Sequence, residues 1–320
     1  MDMPPDTTHV LSSQRDFLGY GQSPPDVRWP GGADLAVSFV LNVEEGAEFS
    51  LSAGDPYNED THEVRHRIEQ APDLCMESHF EYGARAGYWR IMRAFEEAGI
   101  PITLNVCARG LLATPWVAHH AVARKDELCC HGFRWESHAG MNVDQERQLI
   151  ADCVNTFVSV AGVRPVGWHT KSSASVHTRR LLVEHGGFLY DSDAYNDDLP
   201  YYVRVNERPH LILPYGFDTN DMRFFVNHDF VMGQHFCDYT MDAARALLRE
   251  GTSAPRMLTI GLHTRIIGRP GRIQGLRSLI EALAQCNVWF ARREDIARHW
   301  LAHSPAQGTA PCTTQSSVMT

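Results

Sequence analysis

Two adjacent carboxylates close a hydrophobic run in Asn42-Val43-Glu44-Glu45-Gly46, with Glu48 just beyond. Carboxylates there are costly unless solvated, paired or on a metal. Gly46 marks a sharp turn that presents both into one cleft, whereas a solvated loop is the plainer reading. Farther on, His131-Gly132-Phe133-Arg134-Trp135-Glu136-Ser137-His138 holds two histidines with six residues between them. A loop can bring such a pair to one metal, but among 17 histidines pairs this close also arise by chance. Arg164-Pro165-Val166-Gly167-Trp168-His169 and Tyr190-Asp191-Ser192-Asp193 add a cation, an imidazole and two carboxylates. Leu258 to His263 ends on a histidine, followed by Thr264, Arg265, Gly268, Arg269, Gly271 and Arg272, a basic flexible loop suited to a small polar or anionic substrate.

These groups need elements to position them. The run from Leu35 to Val43 reads as a buried strand, and Tyr88 to Ala98 as an amphipathic helix stopped by Gly99-Ile100-Pro101. Ile102 to Val106, Glu127 to Cys130, Pro165 to Trp168, Phe188 to Tyr190, Met257 to Leu262 and Val288 to Phe290 read as further strands. Asp144 to Ala161, Val176 to His185 and Ile273 to Ala284 read as helices between them. Repeated strand–helix units with short connections predict a single α/β domain on a parallel sheet, open or closed into a barrel. In such folds the chemistry sits at the carboxyl ends of the strands, where the groups above fall. Residues 1–30, rich in Pro, read as a surface arm, 31–304 as the catalytic domain, and 305–320 as a disordered tail.

Composition narrows the classes. Of 320 residues 29 are Lys or Arg and 39 are Asp or Glu, a net charge of −10, which argues against sequence-independent nucleic-acid binding. Apolar residues at 43% and charged residues at 21% are ordinary globular usage. No stretch is apolar for long enough to span a bilayer and no secretory signal is visible, so the expected location is cytoplasmic, without a membrane partner. Eight cysteines lack a paired framework and read as reduced, buried thiols, the adjacent Cys129 and Cys130 suiting a strand. Neither a phosphate-cradling glycine loop nor a Gly-x-Ser-x-Gly elbow occurs. Tyr195, Tyr201 and Tyr202 with Trp135 and Trp168 either line a sugar-stacking groove or belong to core and rim. The run Arg223 to Val226 reads as an internal strand or, with the arm, as the means of forming a homo-oligomer.

In order, these segments resemble the polysaccharide deacetylase homology family, which implies a distorted (β/α) barrel. Its Thr-Phe-Asp-Asp-Gly motif is similar to Asn42-Val43-Glu44-Glu45-Gly46, its His-Ser-x-x-His to the segment from His131, and its Arg-x-Pro to Arg164-Pro165. Its Asp motif is similar to Asp191 and Asp193, and its Leu-x-His to Leu262-His263 without the spacer. Over roughly residues 16–300 the resemblance is closer to an allantoinase-like branch, next to fungal-type chitin deacetylases. It is carried by Asp16 to Gly21, Arg28 to Gly32, Glu44 to Gly46, His131 to Trp135, Glu184 to Asp191, Asp197 to Tyr201, Asp218 to Phe224 and Gly268 to Arg272. Trp135 stands where the deacetylase motif has its second metal histidine, a Trp the branch shares, and the branch works without the usual metal. His138 and His169 stand where that branch usually has Tyr.

The resemblance implies hydrolysis of a non-peptide C–N bond. Because His138 can restore the missing ligand, the expected metal set is Glu45, His131 and His138 around one Zn2+ with an open water position; Glu44 and Glu45 can exchange roles. The leading expectation is N-deacetylation of chitin oligosaccharides. In it Glu44 is general base, His263 is general acid with Asp191 or Asp193 as partner, Arg164 holds the base and Asp191 orients its neighbours. Trp168, Tyr195, Arg265 and Arg269 are the expected substrate contacts. The other reading is cofactor-independent opening of the hydantoin ring of allantoin, with His131, Glu44 and His263 as acid–base groups and Arg265 or Arg269 on the ureido group. A third is a binding protein that keeps the barrel without catalysis.

Overall fold

Chain direction and hydrophobic alternation build one curled sheet. The computed structural model describes residues 15–61, 66–171, 173–225 and 229–304. Its strands are β1 (Leu35–Val43), β2 (Thr103–Val106), β3 (Glu127–Cys130), β4 (Gly167–Trp168), β5 (Tyr190–Asp191), β6 (Tyr201–Val205), β7 (Arg208–Ile212), β8 (Arg256–His263) and β9 (Val288–Phe290). They lie in the order β6-β7-β5-β4-β3-β2-β1-β8, with β9 on β1; β6 pairs antiparallel to β7 and every other pairing is parallel. After β7 the chain returns to β8 through an isolated parallel bridge between Asn220 and Gly261. This is a distorted (β/α) barrel.

All nine residues of β1 are buried, because the strand is covered on both faces. Leu35, Val37, Phe39, Leu41 and Val43 join Tyr88, Ile91 and Phe95 in the main core, while Ala36 belongs with Cys129, Tyr190, Leu213 and Met257 to a second cluster. Period-two alternation therefore sends alternate β1 side chains to opposite faces. The helices are α1 (Leu74–Tyr82), α2 (Tyr88–Ala98), α3 (Ala108–Ala113), α4 (Pro115–Arg124), α5 (Val143–Ala161), α6 (Thr178–His185), α7 (Gly233–Gly251), α8 (Pro270–Leu283) and α9 (Arg293–His303). Asn142 caps α5 by accepting from Asp144 N at 2.9 Å, and left-handed Gly162 ends it.

The sequence bounds of β1, α2, β3 and β9 match the structure, and β2, α5, β4, α6, β5, β8 and α8 shift by a few residues. The hairpin β6–β7 and helices α1, α3, α4, α7 and α9 carried no expectation. Arg223 to Phe225 is neither strand nor surface. Asp221–Phe224 is a 3-10 turn capped by Asn220, and Phe224 is buried in the main core; Val226 lies outside the described residues. The described part of the arm is anchored by Tyr20, which donates to Pro200 O (2.6 Å), and by buried Trp29, which donates to Arg256 O (2.8 Å). Residues 1–14 and the expected tail lie outside the described residues. Cys129 and Cys130 are buried free thiols, as expected, whereas Cys75 is exposed. Among the described residues no helix is long and apolar enough to cross a membrane.

Two close approaches seat the turn between α1 and α2 against the strand ends. Gly83–Gly87 forms a π turn. A Cβ on Gly83 would strike the Glu45 carboxylate and, at 2.7 Å, Thr264 Oγ1; one on Gly87 would strike the Thr264 carbonyl. The second obstacle is backbone and cannot swing aside. Gly87→Ala is expected to lower unfolding stability by about 1–3 kcal/mol in urea denaturation, as overpacking does, and to lower activity with it.

Candidate active site

Four parallel strands deliver the cluster. Glu44 follows the last residue of β1, His131 that of β3 and His169 that of β4, while His263 is the last residue of β8. The ladder carries on past the strand ends: His131 N donates to Val106 O and His169 N to Cys130 O, each at 2.9 Å. All four side chains are buried.

Glu44 is the centre. Its Oε2 accepts from Arg265 at 2.5 Å, and its Oε1 lies 3.6 Å from both His131 Nε2 and His263 Nε2. Burial would raise the Glu44 pKa, but Arg265, His263 and His131 overcome it and hold the carboxyl well below the usual range. The Arg265 guanidinium stacks over Phe80 (4.4 Å) and Trp135 (5.1 Å). The Glu45 carboxylate accepts from Thr264 Oγ1 and, at 3.1 Å, from Glu44 N. Burial raises its pKa, against Arg265 and Thr264. Burial also pushes Glu48 up to about 7.

Each histidine is oriented from behind. His131 Nδ1 donates to the His169 carbonyl at 2.6 Å; a carbonyl only accepts, so the neutral ring keeps a bare lone pair on Nε2. His263 Nδ1 lies 2.6 Å from Asp221 Oδ1, and the other Asp221 oxygen accepts from the backbone of His263 (2.8 Å) and Ile267 (3.0 Å). Burial lowers the His263 pKa, but Asp221 and Glu44 outweigh it and raise it above the ordinary value. His169 moves the opposite way, well below its usual value, through burial and the neighbouring His131 and Arg293. Its Nε2 lies 3.3 Å from Tyr195 Oη; burial raises the Tyr195 pKa, so the phenol keeps its proton.

Several expected roles do not survive this geometry. His138 is fully buried away from Glu44, its Nδ1 bound at 2.9 Å to Glu146, which also accepts from Ser175 and Thr178. Glu45, His131 and His138 are therefore not brought together. Among the described residues no group of three or more His, Cys, Asp and Glu side chains is arranged to hold a metal ion. The donor set does not fit the expected Zn2+: Glu44 is occupied by Arg265, Glu45 by Thr264, and Trp135 covers the guanidinium. Arg164 is exposed and braces the end of α6 through His185 Nδ1 (2.9 Å) and Gly186 O. Asp191 pairs with Arg179 (2.7 Å) and His210 (3.0 Å), and Asp193 accepts from Thr170 N (2.7 Å), so neither orients His263. Burial and Asp191 push Asp193 up to about 8. Trp168 is a core residue that donates to Thr170 Oγ1 at 2.8 Å. Arg269 supports Arg265 from outside, stacking on Tyr82 (3.5 Å) and donating to Arg265 O (3.4 Å).

Sequence reasoning missed Asp221 as the partner of His263, and Asn42 and Asn105 beside His169. Asp221 sits in the Asp218 to Phe224 segment that carried the resemblance, so a signal existed without its role. A separate cavity of about 1230 Å3 lies between the arm and the Asn196 to Tyr202 loop, with no residue of the Glu44 cluster in its wall.

No family model matches the chain. A curated protein of Schizosaccharomyces pombe described as "Putative polysaccharide deacetylase" is 35% identical over 315 residues, covering 91% of this chain and 98% of that protein. This chain belongs to the polysaccharide deacetylase family. Solved relatives agree. A "probable Polysaccharide deacetylase" from Pseudomonas aeruginosa is 44% identical with a TM-score of 0.89, covering 92% of this chain and all of that one. The structure of Puue allantoinase is 43% identical with a TM-score of 0.88, covering 92% and 99%. Membership makes hydrolysis of an amide-type C–N bond the class of chemistry.

His138→Ala is expected to lower unfolding free energy by about 2 kcal/mol, since it removes one of the partners of the buried Glu146 carboxylate and leaves a cavity. The rate should stay within about threefold, because His138 does not touch the Glu44 cluster. A loss of activity without a loss of stability would contradict that placement.

Proposed function

We propose that the chain hydrolyses the C–N bond of a small cyclic amide or ureide, with the hydantoin ring of allantoin as the leading substrate and no metal in the reacting set. The contact that carries this reading is Arg265 on Glu44: a fixed cation already neutralises the carboxylate at the centre of the histidines. The reading also draws support from the 43% identity to a protein named as an allantoinase.

The 3.6 Å gaps around Glu44 Oε1 exceed a hydrogen bond, and a water there can donate to Glu44 Oε1 and to His131 Nε2. His131 is the better general base, because its Nε2 lone pair is free by tautomer. Glu44, held far down by its cations, is a weak proton acceptor and serves to position the water. As water oxygen bonds to the ring carbonyl carbon, its proton passes to His131. His263, kept protonated by Asp221, donates from Nε2 to the departing nitrogen as the C–N bond breaks. The product is a ring-opened ureido acid, and the basic Arg265–Arg269 side suits its carboxylate.

Deacetylation of chitin oligosaccharides is the second reading. It is favoured by Tyr195 and Phe217, half-exposed and exposed, whose rings stack at 3.8 Å and 9° beside His169, a platform for a sugar face. The test is ring opening of allantoin and acetate release from chitohexaose by chelator-treated protein. Allantoin turnover unaffected by chelation is expected; acetate release without allantoin turnover would overturn the proposal. Glu44→Gln and His131→Ala should each cost about 10²-fold or more in kcat. The reaction needs His263 protonated, so the rate falls as pH rises through the His263 pKa. Asp221→Asn removes the carboxylate that raises this pKa, and the alkaline limb of the pH–rate profile should move to lower pH.

A further inference from the structure

The mechanism leaves unused a chain of hydrogen bonds beside the reacting groups, and its direction is fixed. It starts at Leu262 O, which can only accept. Asn42 therefore turns its NH2 there (3.0 Å), and the same NH2 reaches Tyr215 Oη at 3.0 Å. This leaves Asn42 Oδ1 as an acceptor facing Asn105 at 3.1 Å, so Asn105 must present its NH2. That NH2 also faces His169 Nδ1 at 3.0 Å, so Nδ1 must accept and the ring proton must sit on Nε2. Nε2–H then donates to Tyr195 Oη at 3.3 Å, and the free end of the chain is the Tyr195 hydroxyl proton. Asn42, Asn105 and His169 are at most 4% exposed, whereas Tyr195 is 37% exposed, so the chain runs from the interior to solvent. Asn105 Oδ1 is buried and has no hydrogen-bond partner among the described residues.

The geometry points to His169 as a specificity-determining residue: locked as an Nε2–H donor by Asn105, it makes Tyr195 a donor that selects a carbonyl oxygen of the substrate. This rests on the proposed amide or ureide chemistry, in which every candidate substrate carries such an oxygen. A group presenting only N–H toward Tyr195 meets a donor and is rejected. Tyr195 thus contacts substrate, and His169 acts through it.

Two measurements on the full chain test this. In 15N-histidine NMR, with His169→Gln identifying the signals, the His169 ring should show protonated Nε2 and bare Nδ1 between pH 6 and 8; an Nδ1–H ring overturns the inference. Calorimetry with hydantoin and with di-N-acetylchitobiose reads binding without turnover. Tyr195→Phe and His169→Leu should each weaken binding about tenfold, while His169→Gln, which keeps an amide N–H toward Tyr195, should stay within threefold. Affinity equal in all variants, or no wild-type binding of either probe, overturns it. If only di-N-acetylchitobiose binds and shows this variant dependence, the ring-opening function fails and the inference stands. If hydantoins are opened but their affinity ignores both positions, the function stands and the inference falls.

Discussion

A carboxylate buried inside a barrel must be compensated, and the pairing of Glu44 with Arg265 sets most of what surrounds it. Removing one carboxylate from water costs several kcal/mol, recovered only with good geometry and further hydrogen bonds. Arg265 supplies the charge, and Phe80 and Trp135 cover the guanidinium face. Thr264 and the Glu44 backbone hold Glu45, which fixes the turn that aims Glu44. The side-chain-free surface of Gly83 then packs on Glu45 and Thr264, and that of Gly87 on the Thr264 carbonyl. An ion pair that is weak as a stability argument is strong as a positioning device, because few side-chain arrangements satisfy it.

The histidines follow from the same economy. Each has one ring nitrogen committed behind it, His131 to a carbonyl and His263 to a carboxylate, so both Nε2 atoms face one Glu44 oxygen. A carbonyl only accepts, whereas a carboxylate also carries charge, and this asymmetry underlies the proposed division into base and acid. A barrel whose parallel strands end together brings such groups from distant sequence to one point.

The polar interior below the site is ordered in the same way. Arg293 is fully buried with Ser192 (2.8 Å), Thr259 (2.8 Å) and the Leu213 and Pro214 carbonyls, tying the segment after β7 to β8 where regular pairing gives out. Near the strand ends, the Asn42–Asn105–His169 chain passes hydrogen-bond direction from backbone toward solvent. Polar groups in a low-dielectric interior are stable only when their partners agree, so each fixes the next.

Residue order alone determined the α/β alternation on a parallel sheet and the end-of-strand placement of Glu44, His131 and His263, because periodicity and glycine or proline stops are local properties, while the closure into a barrel was implied by the resemblance. It also held the segment containing Asp221, but not its role. His138 shows where sequence reasoning fails. Spacing put it within reach of His131, whereas the fold turns its ring toward Glu146 on α5, a partner eight residues on whose carboxylate is buried on the same side. Asp191 shows the same failure, since Arg179 and His210 reach it before His263 can. Which carboxylate meets which imidazole depends on strand register and helix placement, and no spacing along the chain encodes that. The family was legible in the order of the residues; the pairing of Glu44 with Arg265 and of His263 with Asp221, across more than 40 residues in each case, was decided only by tertiary structure.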